Sequence, residues 1–124
     1  IESARRVLSH LRELADAGAG VLLITHDLEL ACEFADRIAV FYAGETIEEA
    51  GAADFMREKT LRHPYTRSLW RAMPEHGFEA PPQMPADTSL YESGCAYRAC
   101  CAFAMDACAR EFFFLHACPP TAYF

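Results

Sequence analysis

Apolar residues recur along the first third of the chain with two different periods. Ala4, Val7, Leu8, Leu11, Leu14 and Ala15 return every three or four positions, with Arg5, Arg6, Arg12 and Glu13 on the other face, and Gly18 and Gly20 end the run. Residues three and four apart share one face of a helix, so this spacing predicts an amphipathic helix. Val21, Leu22, Leu23 and Ile24 follow and read as a buried strand, which runs straight into Thr25, His26 and Asp27, polar groups for which a core has no use. Leu28, Ala31, Phe34 and Ala35 then predict a short second helix, with Thr25 or Asp27 able to cap its exposed N–H groups. Cys32 falls on the apolar side of that helix and reads as core.

Ile38 to Tyr42 reads as a strand, Ala43-Gly44 as a tight turn and Thr46 to Glu48 as the antiparallel partner, with Glu48-Glu49 a solvated hairpin edge. The order helix, strand, helix, strand, hairpin predicts an α/β sheet layered with helices, and a strand as apolar as Val21 to Ile24 is typical of a parallel one. Two or three strands cannot close such a sheet. The segment therefore reads as the edge of a larger domain, and the absence of an initiator Met fits a piece of a longer chain. Phe55 and Met56 predict a short helix, His63-Pro64 a stop, and Leu69, Trp70 and Met73 another helix that Thr66 caps and Pro74 ends. Residues 75–94 contain Pro81, Pro82 and Pro85 with little periodicity and read as a linker or irregular arm, and no internal repeat is visible.

Composition narrows the class. With 124 residues, 52% of them hydrophobic, the chain can build one ordinary core, and no apolar run approaches the roughly 18–20 residues that cross a bilayer. A soluble cytoplasmic protein is expected, since no secretory pattern opens the sequence. A net charge of −7, with one Lys (Lys59) and scattered Arg, argues against a nucleic-acid partner, because affinity for phosphate backbones needs clustered cations. All of the six Cys but Cys32 lie between residues 95 and 118. In a reducing compartment such thiols are metal ligands or free thiols rather than a disulfide framework. The stretches between Cys95, Cys101, Cys108 and Cys118 hold five, six and nine residues, too long for a zinc ribbon of paired C-x₂-C loops but workable for a loop around a larger inorganic core.

Three stretches together resemble the ATP-binding subunits of oligopeptide and dipeptide importers of the ABC transporter class. "LLITHDLELACEFADRIAVFYAGETIEEAG" is similar to that family's switch-histidine strand, following helix and closing hairpin; "RHPYTRSLWRAMP", residues 62–74, to its His-Pro-Tyr-Thr element; and "GCAYRACCAFAMDAC", residues 94–108, to its cysteine motif. The resemblance covers nearly the whole chain. It implies the C-terminal part of a P-loop (RecA-like) ABC ATPase domain over residues 1–60, followed over 61–124 by the importer-type extension with an irregular Cys-rich arm. The phosphate-binding loop, signature sequence and acidic strand would precede Ile1. Independently, the only Lys follows Glu58 rather than Gly, so the sequence contains no G-x-x-x-x-G-K-[ST] phosphate loop.

By this resemblance His26 is the switch histidine, the catalytic and nucleotide-contacting residue that hydrogen-bonds the γ-phosphate of ATP with Mg²⁺ and holds the attacking water in line. Asp27 reads as a helix cap or dimer contact. The cysteine motif implies a four-iron, four-sulfur cluster on Cys95, Cys101, Cys108 and Cys118. Cys100 stands where the family usually has Arg, so either Cys100 or Cys101 could ligate, Cys101 fitting the usual spacing better. Zinc and unligated thiols are the alternatives. A second ATPase subunit and transmembrane permease subunits are the implied partners, at the cytoplasmic face of the membrane. Peptide is the leading solute, with nickel or glutathione importers close in kind. The competing class is a non-catalytic metal-binding or interaction module in which the cysteine arm is the active part. The apolar Phe112, Phe113 and Phe114 read as core or as a contact patch.

Overall fold

A computed structural model describes residues 2–83 and 93–110. Cys118, Phe112 to Phe114 and residues 84–92 of the proline-containing arm lie outside this described part. The first helix, α1, spans Glu2–Asp16, and the second, α2, spans Leu28–Phe34. Asp27 caps α2, its Oδ1 accepting from the Leu30 N–H at 3.1 Å, while the Thr25 hydroxyl accepts from the Asp27 N–H at 3.0 Å. The two helices are held side by side by Arg5, which donates to Glu29 at 2.8 Å and to Glu33 at 3.0 Å. Arg12 reaches Asp36 just beyond α2 at 2.7 Å. These pairs are exposed, and contacts of that kind contribute little individually.

Between the helices the expectation of a buried strand fails. Val21 to Ile24 carries no strand pairing, and Leu22 and Ile24 are 87% and 89% exposed. A buried parallel strand takes hydrogen bonds from neighbours on both sides, and among the described residues only one pair of strands exists, joined to each other. The predicted parallel layering is thus replaced, in this part of the chain, by a small mixed α/β arrangement around an antiparallel hairpin.

That hairpin consists of β1, Arg37–Tyr42, and β2, Glu45–Gly51. Ala43 and Gly44 turn with φ of 50° and 83°, the positive pair that a type I′ turn demands and that matches the twist of the strands. Along β1 the side chains alternate, Ile38, Val40 and Tyr42 inward and Arg37, Ala39 and Phe41 outward. The pairing slips at one point: Phe41 faces Thr46 but Val40 faces Glu48, so Ile47 is the extra residue of a β-bulge. Directly paired residues share a face of a hairpin. Glu48, opposite Val40, is thereby turned to the core side.

Ile38, Val40, Phe55 and Leu61 form the main core, against which Leu28, Ala31, Cys32, Leu69 and Trp70 pack. Cys32, expected in the core, is half-buried at its edge, and burial pushes its thiol pKa up. Phe55 sits in a 3₁₀ helix, Ala52–Met56, while Met56 turns outward. Each such fully buried side chain contributes about 1.5–3 kcal/mol relative to exposure. The last regular helix, α3, spans Pro64–Ala72 and is anchored by the Trp70 indole, whose Nε1–H donates to the Phe55 carbonyl at 2.8 Å. Its cap is not Thr66, which is wholly buried within the first turn, but His63, with Pro64 in the first helical position where no N–H is needed.

The turn gives a direct test of the hairpin geometry. Asn tolerates the left-handed conformation that Ala43 is forced into, so Ala43→Asn should raise the unfolding free energy by about 0.5–1 kcal/mol, read from a shift in the denaturant midpoint of the full-length protein.

Candidate functional site

The bulge at Ile47 buries a carboxylate. Glu48 is 5% exposed, and its oxygens accept from two consecutive backbone donors, the N–H of Arg62 at 2.7 Å and that of His63 at 2.9 Å. The reading of Glu48 as a solvated edge is therefore corrected. Only Glu49 behaves so, pairing on the outer face with Arg37 at 2.7 Å. Glu48 fixes the entry to α3 and with it the orientation of His63.

His63 is 4% exposed. Its Nδ1 accepts from the Tyr65 N–H at 3.1 Å, closing the helix cap, and its Nε2 lies 3.6 Å from the Cys95 sulfur. Burial lowers its pKa from the ordinary value to about 4, which leaves the ring neutral at physiological pH. The ring packs beside Tyr97, which together with Tyr42 and Tyr65 makes a knot of three tyrosines with centroids 4.6–5.4 Å apart. Tyr42, Ala96 and Tyr97 form a second small core, touched by Cys95, Cys100 and Cys101.

The cysteine segment folds back on itself. The Cys95 N–H donates to the Cys108 carbonyl at 2.7 Å, and Gly94 sits at φ +67° against that same strand of backbone. A Cβ at position 94 would fall 2.8 Å from the Ala109 oxygen, so the residue before Cys95 has no room for a side chain. Short 3₁₀ turns, Ala96–Ala99 and Asp106–Ala109, follow Cys95 and lead into Cys108. Cys95 lies near enough to Cys101 and Cys108, and Cys101 near enough to Cys108 and Cys100, that a negative charge on these neighbours disfavours thiolate at Cys95 and Cys101. Burial, the largest influence, raises the thiols of Cys95 and Cys101. Backbone N–H groups oppose it: those of Tyr97 and Arg98 at the Cys95 sulfur and that of Phe103 at Cys101. N–H donors of this kind stabilise thiolate, the form that binds metal.

Of the adjacent pair, Cys101 lies near Cys95, Cys108 and Cys100. Cys100 turns away to donate to the Gln83 carbonyl at 3.1 Å. No three His, Cys, Asp or Glu among the described residues are gathered about a single point in a way that would hold one ion.

His26 lies elsewhere, exposed on the bend between Val21–Ile24 and α2, and takes no part in the contacts that build the cysteine site. The Thr25 and Asp27 bonds fix the backbone on either side of it. Sequence reasoning missed Glu48 and the contact of His63 with Cys95. Only the tandem Glu48-Glu49, one of whose carboxylates must take the inner face of a bulged strand, gave any sign of the first.

The segment that builds this site, residues 47–108, matches the family described as the oligopeptide/dipeptide transporter, C-terminal region, and the chain belongs to that family. Among individual relatives, it is 39% identical over 110 residues to the oligopeptide transport ATP-binding protein OppD of Mycobacterium tuberculosis, covering 83% of this chain and 18% of that one. It is 53% identical over 55 residues to the dipeptide transport ATP-binding protein DppD of Haemophilus influenzae, covering 44% of this chain and 16% of that one. A Brucella ovis protein named for peptide import and ATP binding is 33% identical over 115 residues, 83% of this chain and 33% of its own. The chain thus spans a third or less of the length of these relatives. No solved structure matches it. No helix among the described residues is long and apolar enough to cross a membrane.

The two bonds to Glu48 set an expected cost. Glu48→Ala should strand two buried N–H donors and lower stability by about 2–4 kcal/mol, with faster amide hydrogen exchange at Arg62 and His63. Glu48→Gln, retaining one acceptor oxygen, should lie between the two.

Proposed function

We propose that this chain is the C-terminal part of an ABC transporter ATP-binding subunit that powers import of peptides, residues 1–60 belonging to the P-loop ATPase domain and 61–124 to the extension that carries the cysteines. The observation that carries the reading is the family match over residues 47–108, joined to the Thr25-His26-Asp27 turn that precedes it. ATP and Mg²⁺ would be held mainly by residues outside this sequence. His26 would contribute at the γ-phosphate, accepting or donating a hydrogen bond and aligning the attacking water; this is positioning and charge stabilisation, as phosphoryl transfer requires. Asp27, engaged as a cap, is not the base. Closure of two such subunits over ATP and their reopening after hydrolysis would move the permease subunits at the cytoplasmic face of the membrane.

The same reading gives the cysteine segment an iron–sulfur cluster, with Cys95, Cys101 and Cys108 as ligands and Cys118 as the fourth. Its support is the position of these three cysteines inside the family-matched segment 47–108 and the backbone N–H groups at the sulfurs of Cys95 and Cys101. When bound, such a cluster supplies a rigid, redox-capable cross-link. The residues here would shield it from water through Tyr97 and hold the first sulfur in place through the Gly94 turn. Zinc on the same thiols is the alternative, as part of a non-catalytic binding module.

Two measurements on the full-length protein test these parts separately. His26→Ala should abolish ATP turnover while leaving nucleotide affinity within a few-fold, and undiminished turnover would remove His26 from the mechanism. Anaerobically purified protein should carry iron and acid-labile sulfide with a visible charge-transfer band, lost in the Cys95→Ser, Cys101→Ser and Cys108→Ser variants but retained in Cys100→Ser. A colourless protein with one zinc would favour the module.

A further inference from the structure

We infer that the stretch from Arg57 to Arg71 presents a basic face on which a short acidic segment of a partner protein docks, its carboxylates on Arg57, Lys59 and Arg62 and an apolar side chain on Met56. The charge of the chain is divided unevenly. Five of its 11 cations and only one of its 18 carboxylates lie between residues 57 and 71, so this stretch carries +4 and the remainder −11.

Arginines that look scattered along the sequence are gathered by the fold. Arg67 and Arg71, one turn apart on α3, reach back to the segment before the helix, Arg67 donating to the Leu61 carbonyl at 2.8 Å and Arg71 to Glu58 at 2.7 Å. In that segment Phe55, Leu61 and His63 are buried, while Met56, Arg57, Lys59 and Arg62 are left on the outside. Met56 is 71% exposed. The carboxylates close by in sequence are already engaged: Glu48 by the backbone of Arg62 and His63, Glu49 by Arg37, Asp54 by the Gly51 N–H at 3.2 Å, and Glu58 by Arg71. Among the described residues no carboxylate forms an ion pair with Arg57, Lys59 or Arg62.

Charge and reach select the kind of partner. Salt confines the attraction to about 8–10 Å, so an extended polyanion, such as a bilayer surface or a nucleic-acid duplex, would meet the acidic remainder as well as the basic stretch. A short segment meets the basic stretch alone. Four of the five cations are Arg, whose planar fork matches a carboxylate with two parallel hydrogen bonds. The flexible thioether of Met56 adapts to varied apolar side chains. A peptide with an apolar residue among its carboxylates satisfies both features.

The test uses the full-length protein and, as probe, a rhodamine-labelled six-residue peptide of alternating glutamate and leucine, with binding read by fluorescence anisotropy. Affinity should fall about tenfold as salt is raised from about 50 mM to about 500 mM. The triple variant Arg57→Gln, Lys59→Gln, Arg62→Gln should weaken binding about tenfold at low salt with the melting temperature of wild type, since none of the three side chains is buried. Arg6→Gln removes an exposed cation from α1 and should leave the affinity unchanged. A triple variant that binds as well as wild type, equal weakening by Arg6→Gln, or no binding at about 1 mM peptide would each overturn the inference. Wild-type protein that takes up phosphatidylglycerol vesicles but not the peptide would assign the face to lipid and overturn it as well.

Discussion

Burying a carboxylate costs several kcal/mol unless its oxygens are matched by donors, and the match found by Glu48 determines how the remainder of the chain is placed. Its two oxygens take the N–H groups of Arg62 and His63, which belong to the segment entering α3. The bond pair therefore does more than neutralise a penalty. It locks the inner face of the hairpin to the first turn of a helix whose own start has no other strand-like support. The Arg67 side chain, donating to the Leu61 carbonyl at 2.8 Å, satisfies the same turn from its other side. Leu61, wholly buried between these polar contacts, belongs to the main core with Ile38, Val40 and Phe55.

From Glu48 the constraint passes to the imidazole of His63 and from there to Cys95, so that three segments distant in sequence share one line of hydrogen bonds: β2, α3 and the cysteine loop. The tyrosine knot runs parallel to this line. Tyr42 at the end of β1, Tyr65 in α3 and Tyr97 after Cys95 bring one ring from each of three elements, and tilted or edge-on packing of this kind adds roughly 0.5–1.5 kcal/mol per pair beyond the area buried. The polar line fixes orientation and the aromatic knot supplies cohesion. Either alone would leave the cysteine loop, which has no regular strand or α-helix of its own, weakly held.

Much of this was legible in the residues, and where it was not the cause is specific. The alternation of Ile38, Val40 and Tyr42, the Ala43-Gly44 turn, the Asp27 cap and the place of Cys32 follow from local periodicity and side-chain chemistry that act over a few positions. Glu48 was misread because an unbulged hairpin closed by Ala43-Gly44 would set residue 48 opposite Ala39, on the outer face. One extra residue at Ile47 reverses the facing of the strand beyond it, and no residue type announces a bulge of that kind. His63 was recognised as a motif position, but its two partners, one two residues away and one 32 away, require the tertiary fold. Val21 to Ile24 failed in the opposite sense, since the apolar pattern is plain and the hydrogen-bonding neighbours that would make it a strand are not among the described residues.

The behaviour of that segment bears directly on His26. The conformation of the Thr25-His26-Asp27 turn is set by bonds spanning two and three residues, so the turn keeps its shape, and its attachment to α2, without help from distant chain. What those bonds cannot set is where the turn points relative to a phosphate. In an open α/β sheet that direction is supplied by the strand before the turn, locked between its neighbours, whose carboxyl end opens on the ligand crevice. Here the four residues that would form that strand expose their side chains, whereas Cys95 is held by contacts from Tyr42, His63 and Tyr97. The two candidate sites therefore differ in kind. The contact of His63 with Cys95 is fixed by residues close to it in the fold, whereas the direction of the imidazole at position 26 would depend on a sheet on either side of Val21 to Ile24.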